Sequence, residues 1–394
     1  MIDPGGDPPA EPGATLGVEE EYHLLDAATY ELANLPALSD AASEPLRAEM
    51  LTSQLEVASP VCHGLGEVRT AIDAMRAAAA AAAADHGALI LAASTHPTAP
   101  LDRIEVAGRD RYQVLLDRFA GVVRQVNLTG CHVHVCVPDL DTAVTVMNHA
   151  RPYLPVLAAL CASSPFHEGV DTGWASYRLA QLALWPQGGL PPRLHGADEY
   201  LAVVGDLTRA GLITEPSELL WELRPSARYP TVEFRIADMP TDAQDVLLYA
   251  GLVRALVRTV ADRATEDAPR AADAVLRAAR WRAARYGLDG SLWSVAGGTL
   301  VPARVAVEEF WQLVEPDLVR HGEADLLRGL LDGLLRRGPS ATRQREVYAT
   351  TGDLDAVIRD ELARTAGSAS DPIDPHQGPF GVDRPGVDDR KTRP

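Results

Sequence analysis

The stretch Thr15–Tyr22 reads T-L-G-V-E-E-E-Y and places acidic side chains where an apolar strand would bury one face. In an extended strand, alternate side chains point to opposite sides, so Glu19 and Glu21 share one face while Glu20 lies on the other. Carboxylates two residues apart are about 6.6 Å from each other and, at an effective dielectric of about 20, repel by roughly 2.5 kcal/mol. This face therefore requires a cationic partner, unless the stretch is a solvated edge strand that uses charge to discourage aggregation.

The chain contains a single lysine, Lys391, so every other strongly basic side chain is an arginine. A P-loop protein needs a lysine on its nucleotide phosphates, and a pyridoxal enzyme needs one for its Schiff base. A lysine so close to the C-terminus suits neither purpose. Both classes are therefore excluded, and any nucleotide phosphate must be held by arginines and metal ions.

Length and net charge narrow the choice of ligand and compartment. With 394 residues, the chain can bury one large core or two modest ones. Its net charge of -19 argues against nucleic acid or an anionic membrane as a partner, which leaves small molecules. Four cysteines do not make a disulfide framework in a chain of this length, and we find neither a signal peptide nor a membrane-spanning apolar run. We therefore expect a reduced, cytoplasmic protein.

The two ends of the chain differ in composition from its centre. Residues 1–13 and 366–394 are rich in Pro, Gly and acidic residues, and we predict that both are flexible tails. Between them we find no internal repeat and no linker, which predicts a single domain over residues 14–365. From about residue 241 onward the pattern is helical, and a capping box of Thr241 and Gln244 predicts where the first of these helices begins.

A further acidic side chain interrupts a short strand pattern. The segment Glu49–Pro60 predicts a turn followed by a strand that ends at the proline, and Glu56 falls between Leu55 and Val57. A lone glutamate in a strand commonly marks its solvent-facing side. Glu56 is therefore a candidate ligand only if other carboxylates lie beside it.

Paired histidines occupy one face of another predicted strand. In Gly130–Pro138, G-C-H-V-H-V-C-V-P, alternation places His132, His134 and Cys136 on the same side. This pattern favours a metal site or a pair that contacts phosphate, although backbone carbonyls could also satisfy both rings. Cys136 with two imidazoles would suit zinc, whereas the carboxylates are hard oxygen ligands that favour magnesium or manganese.

Arginines lie beside acidic residues in a third strand pattern. The segment Leu219–Met239 predicts two strands joined by a proline-containing turn, and on the second strand Glu233 and Arg235 share one face. Arg224 and Arg228 lie close by in the sequence. One polar and one apolar face suit a sheet whose polar side lines a cleft.

A long irregular segment, residues 162–192, precedes these strands and is of the kind that more often carries function than not. Within it Arg178, next to Tyr177, could bind a substrate carboxylate with its guanidinium fork. An ordinary surface ion pair would explain Arg178 equally well.

Together these residues form an oxygen-rich set drawn from separate strands, which suits two or three magnesium ions held against a nucleotide triphosphate. The sequence resembles the type 2 glutamate-cysteine ligases, or carboxylate-amine ligases, which share the glutamine synthetase catalytic sheet. The resemblance runs from about Thr15 to Ala363 and rests on seven ordered blocks. The blocks are G-V-E-E-E-Y (17–22), L-T-S-Q-L-E-V-A-S-P-V-C (51–62), T-H-P (95–97), H-V-H-V (132–135), S-S-P-F-H-E-G with the later A-S-Y-R (163–178), R-P-S-A-R-Y-P-T-V-E-F-R (224–235) and W-R-A-A-R-Y-G-L-D-G (281–290).

The resemblance implies an α+β fold in which an antiparallel sheet curves into a funnel, helices pack on its outer face and catalysis takes place inside. It also implies that ATP phosphorylates a carboxylate, usually the side-chain carboxylate of glutamate. An amine then displaces the phosphate to form an amide, with ADP and phosphate as the other products. L-cysteine is the default acceptor, which would give γ-glutamylcysteine. A homodimer is an assembly that we leave open.

The resemblance assigns roles to individual residues. The residues that match metal ligands are Glu19, Glu21, Glu56, His132 and Glu233, with Glu49 at a position where related bacterial ligases carry aspartate. Arg235 matches an arginine that contacts the transferring phosphoryl group, and we count Glu233 and Arg235 as the catalytic pair. We predict that Arg224, Arg228 and His134 contact the nucleotide, and that Arg178 and Tyr177 contact the substrate.

Two other functions remain open on the sequence alone. A zinc or manganese hydrolase that uses His132 and His134 would need no nucleotide. A non-catalytic relative that binds a nucleotide or an amino acid is the second alternative, although such proteins commonly lose metal ligands and the set here is intact.

Overall fold

The computed structural model describes residues 11–41, 45–100, 105–107, 117, 119–125, 127–262, 268–269 and 271–367. Most of both predicted tails, including Lys391, lies outside the described residues. Among the helices that are described, none is long and apolar enough to cross a membrane.

Seven strands form one antiparallel sheet in the order β10-β11-β5-β1-β3-β2, with β4 paired to the last residues of β1. The long strand β1 is central because it pairs with β3, β4 and β5. All strands, in chain order, are β1 (Leu16–Asp26), β2 (Leu46–Ala48), β3 (Gln54–Ala58), β4 (Ala88–Leu91), β5 (Cys131–Cys136), β6 (Phe166–His167), β7 (Val170–Asp171), β8 (Gly188–Gly189), β9 (Leu220–Trp221), β10 (Leu223–Pro225), β11 (Thr231–Phe234), β12 (Ser291–Ser294) and β13 (Thr299–Pro302).

Helices account for most of the remaining described residues, and the α+β fold class predicted from the sequence is confirmed. In chain order they are α1 (Pro36–Ala41), α2 (Leu65–Ala84), α3 (Gly121–Gln125), α4 (Leu140–Ala150), α5 (Leu154–Leu160), α6 (Tyr177–Leu182), α7 (Ala197–Arg209), α8 (Ala243–Ala261), α9 (Asp273–Tyr286), α10 (Ala303–Arg320), α11 (Ala324–Arg337), α12 (Ser340–Thr351) and α13 (Leu354–Thr365).

The two faces of the sheet differ in chemistry because side chains alternate along each strand. On one face, Val18, Tyr22 and Leu24 of β1 are at most 1% exposed and belong to the main apolar core. Helices α2 and α8 contribute Ile72 and Tyr249 to the same core, so they pack on this face. The other face of β1 carries its functional carboxylates.

The start of α8 differs from the capping-box prediction. The helix begins at Ala243 after Asp242, and no side chain caps its first turn. The hydroxyl of Thr241 instead donates to the carboxylate of Glu361 and contacts Ser340. The predicted box is therefore wrong because a buried carboxylate far along the chain competes for the same hydroxyl.

The region after residue 241 also departs from a purely helical pattern. A two-stranded hairpin of β12 and β13 stands between α9 and α10. Its four-residue strands are too short to produce a strong strand signal in a helix-rich sequence.

The folded part of the chain starts before the predicted boundary at residue 14. The backbone N–H of Gly13 donates to the carbonyl of Cys136 at 2.9 Å, and Arg254 Nε donates to the carbonyl of Gly13 at 2.8 Å. Gly13 has φ +74°, and a Cβ there would lie 2.4 Å from Cγ of Arg258. Residues 11–13 therefore belong to the packed structure, and Gly13 is required by both its conformation and its close contact.

Candidate active site

The strand register brings the candidate residues together in cross-strand rows. Glu21 on β1 lies opposite Glu56 on β3, and Glu19 lies opposite His132 on β5. On the other side of β5, His134 lies opposite Glu233 of β11. Side chains that are directly opposite in an antiparallel pair are about 4.5–5.5 Å apart at Cβ, so these rows place acids and imidazoles in contact.

The first cluster consists of Glu19, His132 and Glu233, which each offer a ligand atom within 4.8 Å of the other two. Nδ1 of His132 is 3.4 Å from Oε2 of Glu19. Two carboxylates and one imidazole from three strands form a donor set that fits magnesium or manganese.

The second cluster consists of Glu21, Glu49 and Glu56, whose oxygens also lie within 4.8 Å of one another. It adjoins the first cluster, because Nε2 of His132 is 3.6 Å from Oε1 of Glu21. An all-carboxylate set suits a hard divalent cation rather than zinc. The structure thus brings together all six residues that the sequence analysis named as metal ligands.

Two arginines hold Glu233 from opposite sides. Arg224 donates to both of its carboxylate oxygens, at 2.8 Å and 3.2 Å, and Arg235 donates to Oε1. Arg224 also donates to the backbone carbonyls of Ser217 and Leu219, so it is engaged with protein groups. Arg235 is about one fifth exposed and faces His132, which leaves it the better placed of the two to reach a ligand.

The charges of the first cluster are balanced within the protein. Burial alone would raise the pKa values of Glu19 and Glu233, but the pKa of Glu19 is lowered by hydrogen bonds from His132 and His134. The pKa of Glu233 is likewise lowered, here by Arg224 and Arg235. Burial and the nearby Arg235 lower the pKa of His132 to about 4, so its ring is neutral and available as a ligand near pH 7.

The second cluster has no such balance. Burial and the charge of Glu49 raise the pKa of Glu21 to about 8, although Arg178 and Arg235 act in the opposite direction. Burial and the neighbouring carboxylates also raise the pKa of Glu56 well above its ordinary value. Without a further cation, this cluster retains protons near neutral pH.

Two of the residues predicted to contact the nucleotide, His134 and Arg228, differ in their contacts with the clusters. His134 Nε2 is 3.6 Å from Glu19, and its Nδ1 contacts the hydroxyl of Thr231 at 3.0 Å. Burial would lower the pKa of His134, but the hydrogen bond to Glu19 and the charge of Glu233 raise it. Arg228, by contrast, is exposed in the turn between β10 and β11, where its backbone N–H donates to the hydroxyl of Ser226 at 3.3 Å.

Arg178 and Tyr177 begin helix α6, and only the first reaches the clusters. Arg178 is 5% exposed, donates to the carbonyl of Arg235 at 3.2 Å and lowers the pKa of Glu21 through its charge. The surface ion pair considered for Arg178 is therefore wrong. The ring of Tyr177 lies 5.1 Å from the ring of His167.

Cys136 does not join either group of metal ligands. Its Sγ accepts a hydrogen bond from the N–H of Thr15 at 3.0 Å and contacts the carbonyl of Glu11 at 3.7 Å. The thiol therefore contacts residues 11–15, and the oxygen-rich donor set stands without it.

Comparison with known proteins decides the family. The sequence profile of glutamate-cysteine ligase family 2 matches residues 15–360. The chain belongs to this family. It is accordingly an ATP-dependent carboxylate-amine ligase of the glutamate-cysteine ligase type.

Relatives of this ligase match it over nearly their whole length. A protein of Salinispora arenicola, named "Putative glutamate--cysteine ligase 2", is 41% identical over 370 residues, which are 92% of this chain and 98% of the relative. A protein of Rhodopirellula baltica with the same name is 34% identical over 367 residues, 90% of this chain and 98% of the relative.

Solved structures show the same fold at low sequence identity. The glutamate-cysteine ligase of Francisella tularensis in complex with AMP has a TM-score of 0.65 at 14% identity, covering 90% of this chain and 88% of that one. A bifunctional glutathione synthetase from Pasteurella multocida has a TM-score of 0.66 at 15% identity, covering 90% of this chain and 52% of that one. These two likenesses concern the fold.

The ligase site also contains residues that the sequence analysis missed. Arg47 on β2 donates to Glu19 at 3.0 Å and to Glu56 at 3.3 Å, so it links the two clusters. It lies directly opposite Glu56 in the sheet. A three-residue strand gives no periodic signal, so only the position of an arginine two residues before Glu49 could have suggested it.

The sequence analysis also missed Asp238, because this residue comes after the alternating residues of the predicted strand and is not part of their pattern. Its buried carboxylate accepts hydrogen bonds from the N–H of Ser163 and the hydroxyls of Ser164 and Ser176, at 2.7–2.9 Å. Burial raises its pKa despite the nearby charge of Arg178. Asp238 thereby fastens both ends of the segment 163–176 to the end of the strand that carries Glu233.

Proposed function

We propose that this ligase joins the side-chain carboxylate of L-glutamate to an amine, with L-cysteine as the default acceptor, and releases ADP and phosphate. The observation that carries the proposal is the pair of adjoining three-ligand clusters on one face of the sheet, Glu19/His132/Glu233 and Glu21/Glu49/Glu56. Arginines border both clusters. This is the arrangement that a phosphoryl transfer from ATP requires.

The donor sets fit magnesium, with manganese as a substitute, because five of the six ligands are carboxylates. Bound divalent cations would neutralise the charge of the ATP phosphates. The protein's own contribution is to hold the ligands together against their mutual repulsion. Arg47, Arg224 and Arg235 do this by hydrogen bonds to Glu19, Glu56 and Glu233.

Arg235 is the residue that we assign to the transferring phosphoryl group. Its planar, permanently charged guanidinium is fixed by Glu233 and faces His132 at the junction of the clusters. A preorganised cation at this point stabilises the negative charge that spreads over the phosphoryl oxygens in the transition state. His134, whose Nε2 is 3.6 Å from Glu19, is the second residue that we assign to the surroundings of the phosphates.

An acyl phosphate is the simplest activated intermediate for this site. The γ-carboxylate oxygen of glutamate attacks the γ-phosphorus of ATP, ADP leaves, and the amine then displaces phosphate from the acyl carbon. The sequence offers no lysine that could carry an acyl group, since Lys391 lies at the C-terminus. Arg178, buried beside Glu21, is placed to hold the other carboxylate of the substrate.

An isotope experiment tests this route. Glutamate labelled with oxygen-18 in its side-chain carboxylate should deliver one labelled oxygen to the released phosphate. Labelled AMP instead of labelled phosphate would show adenylation and contradict the mechanism. Phosphate formed without any amide product would point to hydrolysis rather than ligation.

The same proposal includes the compartment. The four cysteines, Cys62, Cys131, Cys136 and Cys161, are all buried thiols without disulfide bonds, which suits a reducing cytoplasm. Fractionation of the native host cells, followed by immunoblotting, would test this placement.

A further inference from the structure

A row of buried polar side chains extends from Arg178 along one side of the segment after it. Arg178, Gln181 and Trp185 follow at i, i+3 and i+7, which is the spacing of a single helical face, and Trp185 lies just beyond the end of α6. Each of the three is only 5% or 6% exposed. Each has a polar atom without a hydrogen-bond partner among the described residues, namely Arg178 Nη1, Gln181 Oε1 and Trp185 Nε1. Arg178 Nη1 has a charged neighbour, Oδ1 of Asp238, at 3.9 Å, which is beyond hydrogen-bond distance.

Such a concentration of unpaired atoms is unusual. Buried polar atoms are hydrogen-bonded in the large majority of cases, and each exception calls for an explanation such as a water, an ion or a ligand. Here a donor, an acceptor and a second donor follow one another within eight residues. Their order is complementary to a ligand that carries both a carboxylate and an ammonium group.

Arg178 places the first end of the row beside the second carboxylate cluster. The Arg178 guanidinium rests on Gly130, where a Cβ would lie 2.4 Å from Nη2. The N–H of Gly130 in turn donates to Glu21 at 2.6 Å. The first end of the row is thus one residue away from a proposed metal ligand.

The far end of the row is also connected with this cluster along the chain. Trp185 belongs to a small apolar group that includes Met50, the residue after Glu49. The row is therefore linked to the cluster of Glu21, Glu49 and Glu56 at both of its ends, through Gly130 and through Met50. We expect a ligand on the row to extend its side chain towards this cluster.

We propose that the row of Arg178, Gln181 and Trp185 binds the α-amino-acid end of the donor substrate. Arg178 Nη1 donates to the α-carboxylate, Gln181 Oε1 accepts from the α-ammonium group, and Trp185 adds a donor at the far end. Residues three apart on a helix have Cβ atoms about 5–6 Å apart, which matches two groups attached to one carbon atom. The inference rests on the proposed function, because it takes the donor to be glutamate.

Gln181 is held in place by a histidine in the free protein. Its Nε2 lies 3.1 Å from Nε2 of His167, on the short hairpin of β6 and β7. In either orientation of the amide, one end meets His167 and the other has no partner. The histidine therefore fixes the side chain while leaving one amide atom for the ligand.

Calorimetry on the full-length protein with magnesium and a non-hydrolysable ATP analogue tests the assignment. The ligands are L-glutamate and glutarate, which lacks only the amino group. The wild type should bind glutamate more tightly than glutarate. Gln181→Leu should weaken glutamate binding by about tenfold or more and change glutarate binding by less than about twofold.

Gln187→Leu is the matched control. Gln187 also has an unpaired Oε1 but lies outside the row, so its removal should leave the preference for glutamate unchanged. Gln181→Met is measured in parallel, since its unbranched side chain keeps the length of glutamine should the leucine variant fail to fold. Absence of glutamate binding to the wild type, or an unchanged preference in both Gln181 variants, would overturn the inference.

A second readout separates this inference from the proposed function. Hydroxylamine, used as the amine, traps an activated glutamate as its hydroxamate while ADP is released. If glutamate binding depends on Gln181 but the wild type forms no hydroxamate, the proposed reaction is wrong and the binding row stands. If hydroxamate forms and the KM for glutamate is unchanged in the Gln181 variants, the reaction stands and the binding row is wrong.

Discussion

Glu20 and Glu21 are neighbours in the sequence but lie on opposite faces of the sheet, where their charges have different partners. Glu20 is fully buried and accepts hydrogen bonds from Tyr22 at 2.8 Å and from Arg76 at 2.6 Å and 3.1 Å. Arg76 also donates to the backbone carbonyls of Pro240 and Thr241. Glu21 accepts a hydrogen bond from Gly130 but lies among other carboxylates, which raise its pKa.

The charge of Glu20 is compensated within the protein and stabilises the fold, whereas the carboxylates on the open face lack enough nearby cations. A buried ion pair with all its hydrogen bonds made fixes the register of β1, because a slip of one residue would exchange Glu20 with Glu21. Clustered carboxylates without enough nearby cations repel one another and so lower the stability of the folded protein. We therefore expect changes on the core face to affect folding and changes on the open face to affect turnover.

The largest effect should come from breaking the core pair. Arg76→Met leaves Glu20 buried without its cation and should lower the free energy of unfolding by about 3–5 kcal/mol. Urea denaturation followed by circular dichroism measures this loss. The double variant Glu20→Gln with Arg76→Met should recover part of the stability. If the single variant were as stable as the wild type, the pair would not be a determinant of the fold.

Glu56→Gln tests the open face. It should reduce turnover by roughly a hundredfold or more, because a metal contributes several kcal/mol to stabilising the transition state. The free energy of unfolding should not fall, since the substitution removes a repelling carboxylate. Initial rates of ADP release, together with urea denaturation, check both statements. Near-normal turnover would refute the assignment of Glu56 as a ligand.

Arg235→Lys should have a smaller effect, about a tenfold decrease in kcat, because lysine keeps the charge but loses the planar fork. Its Kd for ATP should change less than its kcat. Steady-state kinetics and equilibrium binding of ATP separate the two quantities. Weak ATP binding with normal kcat at saturation would instead assign Arg235 to the ground state.

The dependence of the unfolding free energy on pH should show that nearby cations do not fully balance the negative charge of Glu21. Its pKa in the folded protein is about 8, above the ordinary value of 4.5, so the folded state keeps a proton that the unfolded state has lost. Stability is therefore lost as pH rises from 4.5 towards 8, by at most about 1.4 kcal/mol per pH unit. We expect Glu21→Gln to lack this dependence of stability on pH. The slope due to Glu21 is the difference between the wild type and the variant, both measured in the presence of a metal chelator. Identical slopes would contradict the raised pKa.

The smallest effect should come from the C-terminal tail. A chain that ends at Gly367 should unfold within about 0.5 kcal/mol of the full chain and turn over normally, because the removed residues are too polar to bury much apolar surface. Removing residues 1–13 provides the contrast, since Gly13 contacts Arg254 and Arg258. Thermal unfolding and turnover of both shortened chains measure the difference, and a large loss from the C-terminal deletion would show that the tail closes over the site.

The residues on the open face were predictable because alternation within a strand is a local property. Glu19, Glu21, His132 and Glu233 each share a face that can be determined from the sequence. Their grouping into two clusters could not be predicted from alternation, because it depends on which strands pair and in which register.

The partners of these residues were harder to predict. Arg76 lies on a helix 56 residues after Glu20, and Asp238 binds serines more than 60 residues away. Arg76 is an arginine on the buried face of the alanine-rich helix α2, and the sequence does not show which carboxylate it contacts. Contacts across such distances follow from packing, which a single sequence does not contain.

Asp238 holds a segment of the chain next to the carboxylate clusters. By holding Ser163, Ser164 and Ser176, it fixes both ends of a segment in which β6 is buried and residues 168–171 are exposed. Substitutions at these exposed positions can then occur without displacing Arg178, His167 or the strand that carries Glu233. The surface beside the site can therefore vary in sequence while the residues that hold the two carboxylate clusters keep their positions.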